Sequence, residues 1–246
     1  MKREVYNDFV KIKKRFQNIV NELEHDLPKL KNIQQKFVNS RAEASYTVET
    51  PVVYNTALDN ITADDEIKLI LVADNPGRRE QAAQNKCYLV GPSGKIAQKF
   101  FRDNPALGID FLKNVIILNK TPIHSPRTIE LRELCRLEKG SSISDALETS
   151  QKTMAALLFD FHKALGCPVW ITGYSEMRKG GIFETYTECL KSIYADNKEM
   201  YEQLFFFRHF SMNQFTIDLK KQTLPEEGVI KSLRRIGAAY RQRIIG

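Results

Sequence analysis

The chain has 246 residues, 42% of them apolar and 27% charged, with a formal net charge of +7. This is ordinary usage for one sizeable α/β domain, or one domain with an appendage, and the positive balance mildly favours a polyanionic partner. No apolar run reaches the roughly 18 residues of a membrane span, and the N-terminus MKREVYNDFVKIKKRF is broken by charge where a signal peptide would be apolar, so a cytoplasmic protein without membrane contact is expected.

Cys87, Cys135, Cys167 and Cys189 form no C-x-x-C pair, which argues against zinc or an iron–sulfur cluster. Neither a metal nor a cofactor is expected. From Met1 to about Asn39, apolar positions from Val5 through Phe37 recur at threes and fours, as on one face of a long helix or helical pair that Pro28 interrupts. Lys2, Arg3, Lys11, Lys13, Lys14 and Arg15 mark the other face. Residues 1–40 thus read as a helical extension packed on the core, with a solvated basic face. Residues 40–66 lose the period and read as a surface excursion with one short strand around Val52-Tyr54.

The next stretch, IKLILVADNPGRREQAAQNKCYLVGPSG from Ile67 to Gly94, organises the rest. An apolar run reads as a buried strand, breaks at Asp74-Asn75-Pro76-Gly77, and is followed by a second turn, Gly91-Pro92-Ser93-Gly94, that leads into a helix over Ile96-Phe101. Further strands are predicted at Val115-Leu118, Val169-Thr172 and Leu204-Phe207. Helices are predicted over Leu131-Leu137, Ile143-Leu165, Ile182-Tyr194 and Val229-Ile244, the second entered through Ser141-Ser142 and stopped by Gly166. The alternation predicts a three-layer α/β/α fold with a central four-stranded parallel sheet over residues 41–246, plus the N-terminal helical extension.

The strand ends deliver Asp74-Asn75-Pro76-Gly77, Asn119, Thr172-Gly173 and His209 to one rim, where α/β folds bind their ligands. One carboxylate, two side-chain amides and an imidazole suit hydrolysis at a nucleobase better than phosphoryl transfer. A P-loop is excluded at Gly91-Lys95, because Leu89 stands at the first glycine position and Ile96 follows the lysine in place of Ser or Thr.

These residues carry a resemblance. Asp74-Asn75-Pro76-Gly77, Glu80 and Tyr88-Leu89-Val90-Gly91-Pro92-Ser93-Gly94 resemble the uracil-DNA glycosylase superfamily. The spacing is closest to the branch reading G-E-A-P-G, then an acid, then P-F-V-G-x-[AS]-G, whereas the N-P-G core is closer to the mismatch-specific and single-strand-selective branches. The similarity continues at Ile116-Ile117-Leu118-Asn119 with Pro122 and Pro126, and at His209-Phe210-Ser211, which is similar to the superfamily's H-P-S.

The resemblance implies that Asn75 orients the water attacking C1′, with Asp74 beside it. It further implies that Asn119 reads the O4/N3 edge of a flipped base, and that His209 stabilises the leaving anion at O2. Tyr88 and Leu89 would contact the base, Gly77, Ser93 and Ser211 the DNA backbone, and Met212 would be the wedge. The implied partner is uracil-containing DNA, single- or double-stranded, bound by a monomer. Three positions depart from the pattern: Ala73 for glycine, Phe210 for proline, and Tyr88 one place early with Leu89 at the stacking position. Neighbours in an extended segment point to opposite sides, so the last shift bears on whether the Tyr88 ring faces a base. Two other functions remain open on the same fold: a catalytically silent nucleic-acid binder, and a protein that binds a small nucleoside-type ligand.

Overall fold

The computed structural model describes residues 1–41, 46–137 and 142–246. Four short strands, β1 (Leu69–Ala73), β2 (Val115–Asn119), β3 (Val169–Thr172) and β4 (Leu204–Phe207), form one all-parallel sheet in the order β2-β1-β3-β4. Their apolar character on both faces follows from helices covering each side. Ile70, Val72, Ile116, Leu118, Ile171 and Phe206 pack into one core layer, against α1 (Arg3–Asp26), α6 (Ser142–Leu165) and α7 (Glu184–Tyr194). Leu69, Leu71, Ala73, Val115 and Trp170 face the other layer, against α3 (Pro92–Asp103), α9 (Gln214–Gln222) and α10 (Val229–Ile245). This is the three-layer α/β/α arrangement.

The remaining helices are α2 (Leu30–Asn39), α4 (Phe111–Asn114), α5 (Glu130–Leu137) and α8 (Lys198–Glu202). The N-terminal stripe forms two helices, α1 and α2, parted around Pro28, whose ring cannot donate to a continuing helix. Phe9, Phe16, Val20 and Leu23 are buried, Phe9 lies 5.5 Å from Phe161 of α6, and Arg15 pairs with Asp160 at 2.5 Å. α6 stops at Gly166, which takes the left-handed φ of +61°. Of the predicted entry to α6, Ser141 lies outside the described residues.

The segment before β1 differs from a surface excursion. Val48, Val52, Val53 and Leu58 are fully or almost fully buried. No strand forms at Val52-Tyr54; Val52 makes an isolated antiparallel bridge to Ile123, and Val53 N–H donates to the Pro122 carbonyl. The alternation of polar and apolar residues there reflects a strap threaded between α1 and the 120–125 loop, and its backbone pairs with that loop instead of with a sheet. No described helix is long and apolar enough to cross a membrane.

Sheet order reverses between β1 and β3, and the crevice beyond their carboxyl ends is where such folds take ligands. Asp74 leaves β1 and Gly173 leaves β3 at this crevice. A Cβ on Gly173 would stand 2.3 Å from Asp74 Oδ1, and its φ is +77°, so only glycine lets the carboxylate lie against this turn.

Candidate active site

Asp74 does not face solvent alone. Lys120, fully buried one residue beyond β2, places its ammonium 2.5 Å from Asp74 Oδ1 and 2.5 Å from the Thr172 carbonyl, with the Phe183 ring 5.0 Å away. Burial holds the lysine below its ordinary range, opposed by the adjacent Asp74 carboxylate. The pair spans the ends of β1, β2 and β3, so it ties three strands together at the switch point. A lysine following a strand ordinarily reads as solvated, which is why sequence gave no sign of this pair.

Asn75 is held by a separate network. Its Nδ2 donates to the Ser125 carbonyl at 3.2 Å and to Ser125 Oγ at 3.1 Å, while Oδ1 accepts from Thr128 Oγ1 at 3.0 Å. Because a carbonyl can only accept, the Ser125 contact fixes which end of the amide is nitrogen. Thr128 Oγ1 also lies 3.2 Å from Asp74 Oδ2. The following carbonyl, of Pro76, accepts from Ser125 N–H and from His124 Nδ1 at 2.8 Å, and His124 Nε2 meets Tyr46 Oη at 2.7 Å. Burial pushes His124 down to about 4. It is therefore neutral near pH 7, with Nδ1 carrying the proton and Nε2 accepting from Tyr46.

Glu80 joins the two turns of the opening motif. Its carboxylate accepts Gly77 N–H at 3.0 Å and Leu89 N–H at 2.9 Å, and burial raises it to about 7. Leu89 takes a left-handed φ of +53°, unusual for a branched side chain. Gly94 makes that possible, since a Cβ there would fall 1.3 Å from the Leu89 carbonyl oxygen. α3 then begins with Gly91 as N-cap and Pro92 at its first position, presenting Ser93 at a helix N-terminus suited to an anion.

After β4, His209 Nδ1 accepts the Ser211 N–H at 3.0 Å, which leaves the proton of the neutral ring on Nε2. Burial lowers its pKa, with Asp74 opposing and Lys120 adding to the shift. Phe210 is fully buried and stacks on Phe215 at 4.3 Å. Its φ of −70° is the value a proline ring imposes, so packing here sets the backbone that H-P-S would set covalently. Ala73 is not among the residues with positive φ, so its place in the turn needs no glycine.

These turns surround one cavity of about 580 Å³. Asp74, Asn75, Gly77, Leu89, Ser93, His209 and Ser211 all line it, with Glu80, Ser125 and Thr128 added by the structure. The Arg78, Arg79 and Arg127 side chains make its rim basic.

Three expected residues stand apart from that lining. Tyr88 is turned the other way: it is 1% exposed, its hydroxyl donates to the Val53 carbonyl at 2.5 Å, and its ring packs toward Phe16 of α1. The contact expected between Tyr88 and a base is therefore corrected. The ring belongs to the core, and Leu89, one residue on, takes the cavity side. No described Phe, Tyr or Trp side chain lines the cavity.

Asn119 is 1% exposed, and both atoms of its amide are buried without a hydrogen-bond partner. It pairs in register with Ala73, a cavity residue, and so lies on the same sheet face, beside the cavity floor. An orphaned amide costs about 1–3 kcal/mol and calls for a ligand or ordered water. Met212, by contrast, is 84% exposed and sits at φ +51° at the outer end of the His209 loop.

Among the described residues no group of three His, Cys, Asp or Glu side chains is placed to hold a metal ion. No protein-family model matches the chain, and a search of curated proteins returns no relative.

Proposed function

We propose that this protein hydrolyses the N-glycosidic bond of uracil or a related deaminated base in DNA, after the base is flipped from its strand. The observation that carries this reading is convergence. Three segments far apart in sequence, 74–77, 89–93 and 209–211, bring an amide, a carboxylate and a proton-donating imidazole to one cavity roomy enough for a flipped nucleotide, with a basic rim.

The roles follow from the fixed geometry. Asn75 Oδ1, its orientation set by Ser125 and Thr128, has a lone pair left to accept a proton from water and so aim the water at C1′. Asp74 supplies negative charge where the sugar becomes cationic, moderated by Lys120 beneath it. The Nε2–H of neutral His209 donates to the O2 of the departing base, where negative charge collects. The amide of Asn119 lies buried and unpartnered beside the cavity floor, and once the floor opens to it, it supplies a donor and an acceptor that match the O4 and N3–H of uracil and mismatch the amino edge of cytosine. Leu89 contributes an apolar wall in place of a stacking ring.

Single- and double-stranded oligonucleotides carrying uracil or hypoxanthine, incubated with the purified chain, test the proposal by chromatography of free base. Release that disappears in Asn75→Ala supports it. Binding without release would favour the catalytically silent binder, and absence of DNA affinity at low salt would refute both.

A further inference from the structure

The loop from Gly77 to Val90 is a ridge with a hollow on each side. One side is the cavity just described. The other is a groove of about 480 Å³ lined by Tyr46, Glu49, Gln81 and Val90, and Arg78 and Arg79 line both. The two guanidiniums therefore stand on the shared wall. Both side chains are exposed, and among the described residues neither is paired with a carboxylate. Among the described residues Glu49 is the one acid lining the groove, and its carboxylate accepts the Ala83 N–H.

Tyr46 is built into this groove. Its hydroxyl is anchored to the buried His124 Nε2 at 2.7 Å, the His124 ring meets it edge-on at 5.8 Å, and the Arg78 guanidinium lies 4.9 Å from its ring centroid. Aromatic and guanidinium together form a flat, cationic platform. That combination suits an unstacked base and its phosphate, and it is tolerant of base identity.

We infer that the groove is a subsite for the nucleotide next to the flipped one, so that a single DNA strand crosses the Arg78–Arg79 ridge from the cavity to the Tyr46 platform. The inference rests on the proposed reading of the cavity, and it names the substrate more narrowly: a strand whose neighbouring base is also unstacked. A paired neighbour in a duplex cannot present its face to Tyr46, so single-stranded or locally melted DNA is the preferred form.

Two measurements test it. The first uses fluorescein-labelled oligothymidylate, which has no scissile base, so it reports whether or not base release occurs. Tyr46→Ala is expected to weaken binding about 10-fold, within the range for loss of one stacked base. Tyr46→Phe keeps the ring, loses the His124 bond, and is expected to bind within about twofold of wild type if stacking alone is at work. Arg79→Ala is expected to reduce the slope of log affinity against log salt by about 0.7, the single-strand value for one phosphate. The second measurement compares uracil oligonucleotides truncated on the 5′ or the 3′ side of the uracil. Tyr46→Ala is expected to slow release only from those that extend on one side, which also assigns the polarity of the strand.

Failure of wild type to bind oligothymidylate, an unchanged Tyr46→Ala, or a Tyr46→Phe that falls as far as Tyr46→Ala would each overturn the inference, the last by tracing the effect to His124. An equal loss on both truncation series would overturn it too. If wild type releases no base while the oligothymidylate results hold, the groove stands and the catalytic reading falls.

Discussion

The turn after β1 and the loop after β4 line the same cavity but are held by opposite means. In the first, Asp74 is tied to Lys120, Asn75 to Ser125 and Thr128, the Pro76 carbonyl to His124, and Gly77 N–H to Glu80. Most of those partners come from beyond β2. In the second, short-range bonds, from Ser211 N–H to His209 Nδ1, Asn213 N–H to the Phe210 carbonyl and Phe215 N–H to the His209 carbonyl, and the burial of Phe210 hold a loop whose next residues, Met212 and Asn213, both lie at positive φ. The first region is over-determined and suits groups that must not move during a reaction. The second is locally held and exposed, which suits contact with a partner of variable shape.

The sharpest way to break this contrast is to remove Lys120. Lys120→Met leaves the Asp74 carboxylate buried beside an apolar chain, and a loss of about 3–5 kcal/mol is expected in denaturant unfolding. Replacing both partners, as Asp74→Asn with Lys120→Met, is expected to recover most of that loss, since the uncompensated charge is gone. A single-variant loss under about 1 kcal/mol would mean the pair is not the tie described.

Asn75→Ala tests the same region through chemistry, with base release expected to fall about 10²- to 10⁴-fold, the usual range for a positioned proton acceptor. Thr128→Val leaves the amide in place but removes the hydroxyl that donates to its Oδ1. A smaller loss, about 10-fold, is expected, because Ser125 still orients the other end of the amide. Equal losses in the two variants would show that Thr128 does more than position Asn75.

The rigid region also carries two opposed titrations. His124 sits at about 4 when folded, against 6.5 for the free group, so between those values the unfolded chain binds more protons and stability rises with pH. Glu80 sits at about 7 against 4.5, so the folded chain binds more protons and stability falls as pH rises through that window. Each amounts to about 3 kcal/mol at most. Their slopes oppose each other between about pH 4.5 and 6.5, and the wild type is expected to be nearly flat there. His124→Gln removes the rising limb, so its stability, followed by urea unfolding, is expected to fall by about 3 kcal/mol from pH 4.5 to 7. A flat profile in that variant would remove Glu80 from this account.

Much of this architecture was legible in the chain because strand and helix periods are local signals. Val169–Thr172 and Leu204–Phe207 are strands over the predicted residues, and α10 begins at the predicted Val229. The rim was legible for the same reason: residues directly after buried strands reach the carboxyl edge of a parallel sheet. What escaped was pairing at a distance. Nothing near Asp74 signals that its partner is Lys120, 46 residues on, or that Pro76 meets His124 48 residues on. Tyr88 was half legible: the one-place shift set its ring and Leu89 on opposite sides, but that the ring is the one taken by the core depends on Val53 and Phe16, 35 and 72 residues earlier, which no local signal announces. α9 was missed because a nine-residue helix with only Phe215 and Leu219 buried carries a weak stripe.

The smallest effect separates the two regions most cleanly. Met212 is 84% exposed, so Met212→Ala is expected to change stability by no more than about 0.5 kcal/mol. If the side chain is a wedge that fills the gap left by an extruded base, release from duplex is expected to fall about 10-fold, with release from single strands unchanged, because only the duplex has a stack to hold open. Met212→Gly adds a second sign. Relief of the left-handed conformation is worth about 1 kcal/mol, and the added freedom of the unfolded chain offsets about 0.4–1 kcal/mol of it. That variant should therefore be at least as stable as wild type in thermal unfolding while losing duplex activity like the alanine. Stability and activity would then move apart at one exposed residue, whereas Lys120→Met should lower both. If Met212→Ala slowed release equally from both substrates, the loop would be acting on the cavity itself, and the division between a rigid chemical half and a locally held DNA-contacting half would fail.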